Sequence, residues 1–353
     1  LHLTTHRLDI YNESLAKTQF LEQFENLYTT NNSEAEVLYN LPTAFDYIRL
    51  GHPLSSVLEW TIGNLHDVKA KNVISFSSST TPILAVLRKN LFENKNTQIV
   101  YSNSLPNSFD ADTIKRVYGY QFDVIKVESI NDIPKFNGST IFISEQQDIY
   151  NFNLAPNIDF FINYNADLGS IILVNGNKNY ISEIQHVRRR ETIAMTPANC
   201  LIALQALVGQ TLENQSSNVK VDKKSVVNEI NKITNTTTKA LVGSSGLSIQ
   251  YAILMGLVDD AIENHPNKDI KIVVPPNCYG GTNDQARRVA ACLDNVEVVD
   301  FAVDGDNDMV ESIDTVLAAI AKVDAVPYII AEIPTNPRVE VPDLIQLRDV
   351  LSK

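Results

Sequence analysis

The alternation of short apolar runs with helix-length segments constrains the fold more than any other feature of the chain. From about Leu54 onward, runs rich in Val and Ile alternate with longer segments whose apolar residues recur at helical spacing. This alternation is typical of βα units, in which helices cover a mostly parallel sheet. The sequence therefore predicts an α/β protein with helices flanking a mostly parallel sheet.

The predicted elements form two groups separated by a polar stretch, Glu213–Lys224, which has few large apolar residues and reads as a linker. The first group has predicted strands at Val73–Phe76, Gln98–Tyr101, Phe122–Val127, Thr140–Ser144, Asp159–Asn163 and Ser170–Val174, and helices at Thr81–Phe92, Tyr180–Arg190 and Pro197–Leu212. The second has predicted strands at Ala240–Val242, Ile270–Val274, Val296–Phe301 and Tyr328–Ala331, and helices at Leu247–Asn264, Asn283–Cys292, Met309–Ala321 and Pro342–Leu351. The predicted domains are an N-terminal segment (1–35), a first unit (36–214), a linker (215–224) and a second unit (225–353).

The second group restarts the pattern of the first, which indicates an internal repeat. Asn72–Thr80 and Lys239–Leu247 both read as a strand, a Ser-rich turn and the start of a helix. Ile141–Glu145 likewise matches Tyr328–Glu332. We predict two tandem copies of one fold, although any two doubly wound units share this pattern.

Composition excludes several classes of partner. With 29 Lys and Arg against 42 Asp and Glu, the formal net charge of -13 disfavours nucleic acid. No apolar run is long enough to span a membrane, residues 1–12 do not resemble a secretion signal, and the three cysteines lack CxxC spacing. The six histidines show no metal-ligand spacing. We expect a cytoplasmic protein with a small-molecule partner and no metal.

Three turns in the second group carry residues that could bind a ligand at the carboxyl edge of the sheet. Gly243–Gly246 lies before a long helix, where backbone N–H groups and the helix dipole favour an anion. Tyr279–Thr282 places an aromatic ring at the same edge, and Glu332–Pro337 holds Asn336 in a restricted turn. Taken singly, each is more often an ordinary tight turn.

In this order, the three turns resemble motifs of the cystathionine γ-synthase family, the pyridoxal-phosphate (PLP) enzymes of cysteine and methionine metabolism. The most specific match is Glu332–Asp343, with the sequence EIPTNPRVEVPD. The resemblance implies the PLP-dependent transferase fold of type I. It also implies PLP-binding positions at Ser245, Gly246, Leu247, Tyr279 and Asn336. The backbone of Gly246 and Leu247 would bind the phosphate, Tyr279 would stack on the pyridine ring, and Asn336 would hydrogen-bond its phenolic oxygen.

The first group resembles the same family elsewhere. Tyr47–Pro53, YIRLGHP, is similar to the family pattern Tyr-x-Arg-x-Gly-Asn-Pro, with His52 in place of Asn. In that family the Tyr and Arg reach a partner's cofactor phosphate, a role that suits the planar guanidinium group of Arg49. A surface Arg beside a core Tyr47 is the alternative. Gly169–Asn214 resembles the segment that follows the cofactor lysine and includes Arg188–Arg190, a run that by itself reads as a solvated helix face.

The cofactor positions of the family are altered in the first copy. Ser79, Pro106 and Ile149 stand opposite Gly246, Tyr279 and Asn336, and the segment 162–168, where the family has its lysine, contains none. We therefore do not expect the first copy to bind PLP productively.

The second copy shows the opposite profile, because 215–241 contains neither Tyr nor Arg. We predict an intrachain pseudo-dimer in which Tyr47 and Arg49 serve one site in the second copy, and such a chain could also form homo-oligomers.

The resemblance places the Schiff-base lysine beyond Lys353, so no catalytic residue is assigned and the chain alone is not expected to be active. We expect a fragment of a longer enzyme of transsulfuration type. Such an enzyme acts at the β or γ carbon of an amino-acid substrate, with PLP as electron sink. The alternative is a pseudoenzyme that serves as a dimerisation or regulatory scaffold.

Overall fold

The computed structural model describes residues 13–42, 44, 47–210, 219–276, 278–303, 308–335 and 339–353. The helices are α1 (Glu13–Thr29), α2 (Ala35–Tyr39), α3 (Pro53–Leu65), α4 (Thr81–Phe92), α5 (Ala111–Tyr118), α6 (Tyr180–Glu191), α7 (Pro197–Leu207), α8 (Val219–Thr234), α9 (Gly246–Asn264), α10 (Gly280–Ala290), α11 (Met309–Lys322) and α12 (Leu344–Leu351). The strands are β1 (Val73–Phe76), β2 (Thr97–Tyr101), β3 (Asp123–Lys126), β4 (Ser139–Glu145), β5 (Phe160–Asn165), β6 (Gly169–Val174), β7 (Ile270–Val274), β8 (Val296–Asp300) and β9 (Val326–Ile329).

The described residues group into two compact units, each formed from two stretches of chain. The first lies within Leu1–Asp110 and Gln121–Ser245, and the second within Ala111–Tyr120 and Gly246–Lys353. Helix α5, which connects β2 to β3 along the chain, therefore belongs to the second unit.

The first unit is built on a six-stranded sheet in the order β1-β6-β5-β4-β2-β3. Strand β6 runs antiparallel to both of its neighbours, and the remaining pairs are parallel. Every residue of β1 and β6 is buried, which is why these strands read as continuous apolar runs rather than alternating ones. The α/β class with a mostly parallel sheet flanked by helices is confirmed.

A buried ion cluster joins α1, α3 and α6 in the core of the first unit. The Lys17 ammonium group donates to the Glu59 carboxylate and, at 3.1 Å, to the carbonyl oxygen of Ala70. The Arg188 guanidinium group donates to the other Glu59 oxygen at 2.7 Å, and Ser75 donates to that oxygen from both its backbone and its hydroxyl group. Arg188 is 0% exposed, so the solvated-face interpretation of Arg188–Arg190 is wrong for this residue.

Burial and charge have opposite effects on this cluster. Burial disfavours the charged form of Glu59, but Lys17 and Arg188 outweigh it and hold the pKa of Glu59 well below its ordinary value. Burial lowers the pKa of Lys17, and the neighbouring Glu59 counteracts this effect. The carboxylate thus stabilises two buried cations at once.

The second unit has a three-stranded parallel sheet in the order β8-β7-β9. One core cluster joins α5, α9 and β7 through Val117, Leu254 and Ile272. An ion pair between Arg116 and Asp259, with 2.6 Å between nitrogen and oxygen, also links α5 to α9. Helix α5 is thus an integral part of this core.

Several predicted boundaries differ from the structure, and three of the differences concern the linker and the ends of two helices. Helix α8 begins at Val219, inside the predicted linker. Helix α7 ends at Leu207 rather than Leu212, because Gly209 adopts a positive φ of 71° and closes the helix C-terminus. Helix α10 begins at Gly280, three residues before the predicted start at Asn283, so that both glycines lie within its first turn.

The predicted strand Ala240–Val242 is wrong, because these residues have no strand conformation. Strand β1, which the predicted repeat aligns with these residues, pairs only with the antiparallel strand β6. Among the described residues, the second unit has no antiparallel strand that could play the part of β6. Without a partner for its backbone groups, a short apolar run does not form a strand.

No helix in the described part of the chain is both long and apolar enough to cross a lipid bilayer.

Candidate functional site

The carboxyl edge of the second sheet brings together residues from three separate stretches of sequence. Leu247 lies in the first turn of α9 and is buried, whereas Tyr279 precedes α10 and is 37% exposed. Glu332 follows β9 and contacts the start of α10. This edge is where open parallel sheets bind their ligands.

Gly281 allows Leu247 and Tyr279 to approach each other. A Cβ atom at Gly281 would lie 2.7 Å from both Leu247 Cδ1 and Tyr279 Cε1, closer than real Cβ atoms come to other heavy atoms. A Cβ atom at Gly246 would meet nothing within 4 Å, so the backbone there faces open space. Gly246 thus leaves open space beside Leu247, the residue that lies near Tyr279.

Glu332 holds the start of α10 through two hydrogen bonds. The backbone N–H group of Tyr279 donates to Glu332 Oε2 at 3.3 Å. The Thr282 hydroxyl group lies 3.0 Å from Glu332 Oε1. The segment after β9 thereby fixes the residue that carries the aromatic ring.

Two glutamines extend these contacts to α9. The Gln285 amide group donates to the carbonyl oxygen of Leu247 at 2.8 Å, and the Gln250 amide group donates to Gln285 Oε1 at 3.1 Å. The oxygen of Gln250 lies 3.1 Å from the Thr282 hydroxyl oxygen. We did not predict Gln250, Thr282 or Gln285 as site residues. The available signal was the i, i+3 spacing of Thr282 and Gln285 on α10, which places both on one helix face.

Cys278 lies beside this site but is not activated as a nucleophile. Burial and then the negative charge of Glu332 raise the pKa of its thiol. A thiol of raised pKa stays protonated at neutral pH, and the thiolate is the reactive form.

The remaining predicted site residues of the second copy have different outcomes. Ser245 directly precedes α9 and is partly exposed. Asn336 lies outside the described residues. On either side of it, the Thr335 N–H group donates to the carbonyl oxygen of Glu340 at 2.9 Å, and the Glu340 N–H group donates to Thr335 Oγ1 at 2.9 Å.

Tyr47 and Arg49 meet in the first unit, before α3. The guanidinium carbon of Arg49 lies 4.4 Å from the centroid of the Tyr47 ring, and that of Arg189 lies 5.8 Å from it. Tyr47 is also partly buried against the core cluster that contains Leu50 and Trp60. The cluster combines two cations with an aromatic ring, an arrangement that cation–π attraction stabilises.

In the first unit, side chains of the same unit occupy the positions that the predicted repeat places opposite the second unit's site. Ser78 Oγ accepts the backbone N–H groups of Thr80 at 3.3 Å and Thr81 at 3.1 Å, at the start of α4. These amides are the kind that would otherwise bind an anion at a helix N-terminus. Ile149 is buried, and so is Pro106.

A second polar cluster of the first unit surrounds Tyr164, which lies in the segment that lacks a lysine. The Tyr164 hydroxyl group is 2.9 Å from Ser104 Oγ, and Ser104 also contacts the Glu145 carboxylate. Burial raises the pKa of Tyr164. At both places the first unit satisfies its polar groups internally.

His52 caps α3 in the neutral form. Its Nδ1 atom accepts the backbone N–H group of Ser55 at 3.2 Å, so Nε2 carries the hydrogen and donates to the carbonyl oxygen of Met195 at 2.8 Å. Burial lowers the pKa of His52 because it disfavours the charged ring, and this effect outweighs the opposing hydrogen bond to Met195.

His52 should therefore make stability depend on pH. The pKa in the folded state is lower than the ordinary 6.5, so the contribution of neutral His52 is complete above 6.5 and is lost as the pH falls from there towards the folded-state pKa. We expect the free energy of unfolding to fall by at most about 1.4 kcal/mol per pH unit from this group. H52N retains a capping side chain but does not titrate, so urea denaturation between pH 7 and 5 should show a shallower slope. Equal slopes for both proteins would contradict the assignment.

No group of three or more His, Cys, Asp and Glu side chains in the described residues is arranged to hold a metal ion.

No family model and no curated protein matches the sequence. Among solved structures, Bna3p from Saccharomyces cerevisiae, a candidate kynurenine aminotransferase, is 14% identical over 53% of this chain, with a TM-score of 0.31. MJ0684 from Methanococcus jannaschii, whose active site is similar to that of kynurenine aminotransferases, is 10% identical over 68% of this chain and 77% of its own, with a TM-score of 0.27. A candidate histidinol-phosphate aminotransferase from Erwinia carotovora atroseptica is 10% identical over 68% of this chain and 81% of its own, with a TM-score of 0.25.

The chain spans 59% of the length of Bna3p. TM-scores of 0.31 and below do not establish a shared fold.

Proposed function

We propose that the second unit binds pyridoxal 5'-phosphate at the carboxyl edge of its sheet, as part of a PLP-dependent enzyme that acts on amino acids. The observation that carries the proposal is the juxtaposition of Leu247 and Tyr279 around Gly281. It puts an anion-binding helix start next to an exposed aromatic ring, which is what a planar phosphorylated cofactor requires.

The residues present suit the two ends of this cofactor. The backbone at Gly246 faces open space and can approach a phosphate closely, with Ser245 and Leu247 on either side. Tyr279 offers a ring face for the pyridine. When bound, PLP supplies an electron sink that stabilises negative charge on the substrate. The residues of this chain bind and orient it, and Cys278 stays protonated beside it.

Within this class we propose a transsulfuration-type reaction at the β or γ carbon of the substrate. The support is the sequence resemblance of Glu332–Asp343, which includes Asn336.

The proposal of two tandem copies gains support from strand order, because β3-β2-β4 in the first sheet and β8-β7-β9 in the second are both parallel and follow the same chain order.

A non-catalytic scaffold is the second candidate, and the first unit favours it. The start of α4 is capped by Ser78, and Tyr164 is engaged by Ser104. A protein that needed only the fold, and not the cofactor, would tolerate polar groups that are hydrogen-bonded within the unit, in both units.

Ligand titration separates the two candidates. Pyridoxine 5'-phosphate has the ring and phosphate of PLP but no aldehyde, so it cannot react with surface lysines. We expect the chain to bind it, and Y279A to weaken binding by about tenfold through loss of stacking. Inorganic phosphate should bind the two proteins equally. Calorimetry provides the measurement.

Y39A is the matched control, since Tyr39 is 89% exposed on α2 of the first unit. It should leave the affinity unchanged. Absence of binding to the wild-type chain, or equal losses in Y279A and Y39A, would favour the scaffold. R49A in the same titration tests the predicted contribution of Tyr47 and Arg49 to phosphate binding.

A further inference from the structure

A continuous path of hydrogen-bonding side chains links the two proposed ligand contacts of the second unit. It begins at the carbonyl oxygen of Leu247 and passes through Gln285 and Gln250. It then reaches Thr282 and Glu332. The path ends at the backbone N–H group that Tyr279 donates to Glu332. The start of α9 and the residue that carries the ring are therefore held by one network.

The donor and acceptor of each hydrogen bond follow from the carbonyl group at which the path begins. The Leu247 carbonyl group can only accept, so the amide nitrogen of Gln285 must face it. The oxygen of Gln285 then faces the amide nitrogen of Gln250, which turns the oxygen of Gln250 towards Thr282. Thr282 and Gln285 are each 1% exposed, so water does not substitute readily for these partners.

Thr282 has one hydroxyl hydrogen and two oxygen acceptors, Gln250 Oε1 at 3.1 Å and Glu332 Oε1 at 3.0 Å. A glutamine at position 332 could donate to Thr282 Oγ1 and still accept from the Tyr279 N–H group. A leucine there could do neither. The network thus needs a polar group of the right shape at position 332 rather than a negative charge.

We propose that Thr282, Gln285 and Glu332 are positioning residues that fix the first turn of α9 relative to the Tyr279 ring, so that one ligand is held at both ends. This inference rests on the proposed function and adds to it how the site is preorganised. A fixed spacing favours a ligand with both a ring and a phosphate over either part alone, because its second contact forms without further ordering.

The test compares T282V with T282S and E332L with E332Q, using three probes: pyridoxine 5'-phosphate, pyridoxine and inorganic phosphate. We expect T282V and E332L to lose about tenfold in affinity for pyridoxine 5'-phosphate, because each removes two hydrogen bonds of the path between α9 and Tyr279. Affinity for the two single-ended probes should change by about twofold or less. T282S and E332Q should bind all three like the wild type.

Equal losses for all three probes would overturn the inference, because general damage to the fold does not distinguish them. Equal losses in E332Q and E332L would overturn it as well, since charge and not hydrogen bonding would then matter.

Amide hydrogen exchange provides a readout that does not depend on ligand. E332L should accelerate exchange of the Tyr279 amide, while E332Q should not. If the wild type binds none of the probes but shows this pattern, the proposed function fails and the positioning role stands. If exchange is unchanged in E332L, the positioning role fails whatever the ligand does.

Discussion

Replacing Glu59 with glutamine is expected to lower the free energy of unfolding of the first unit by about 3–5 kcal/mol. The substitution keeps the shape but removes the negative charge that Lys17 and Arg188 share in the core. It also replaces one acceptor oxygen with an NH2 group that can only donate. Both Glu59 oxygens face donors, since one accepts from Lys17 and the other from Ser75 and Arg188. The chain's single tryptophan, Trp60, is the adjacent residue, so urea denaturation followed by its fluorescence reports on this unit.

E229Q is the matched control on the same unit. Glu229 pairs with Lys232 at 3.8 Å, with both side chains mostly exposed, so we expect less than about 1 kcal/mol. If E59Q is too unstable to purify, the double variant K17M/E59Q also removes one of the two buried cations that contact Glu59 and should be recovered more readily. Similar unfolding midpoints for E59Q and E229Q would refute the role assigned to the cluster.

G169A is expected to destabilise the same unit by about 2–6 kcal/mol, from two separate causes. Gly169 has a φ of 114°, which residues with a side chain rarely adopt. An added Cβ atom would also lie 2.2 Å from the carbonyl oxygen of Phe76, in the strand β1 that pairs with β6. The neighbour is backbone, so it cannot rotate away, and the β1–β6 pairing must shift.

G176A separates the two causes. Gly176 has a similar φ of 100°, but a Cβ atom there would meet nothing within 4 Å. Its cost should be the conformational part alone, about 1–3 kcal/mol. Denaturation of both variants gives the contribution of the clash by difference; equal costs would mean that β1 and β6 absorb the extra atom.

The fold could be predicted wherever apolar pattern and burial agree. Helix α4 and strand β7 have the predicted bounds, since both are apolar segments with clear boundaries. The prediction failed at Ala240–Val242, because a strand depends on a partner that local sequence does not reveal. It failed again at the start of α8, where a mostly exposed helix has the polar composition of a linker.

The sequence predicted the turns of the candidate site but not its helical side chains. Tyr279 and Gly246 were predicted as candidates because turns with glycine stand out between strands and helices. Gln250 and Gln285 were missed, because an amide side chain on a helix has the same appearance in sequence whether it faces water or another helix. The burial of Arg188 was hidden in the same way by its two arginine neighbours.

Helix α5 is synthesised long before most of the unit to which it belongs. Val117 leaves the ribosome with the first unit's strands, but the residues it packs against in the second unit, such as Leu254, are made more than a hundred residues later. Until then the apolar face of the helix lacks the residues that finally bury it. Contacts between residues far apart in sequence form slowly, so this face stays exposed for longer. A chain that lacked Gly246–Lys353 would therefore keep α5 but lose the residues that bury Val117.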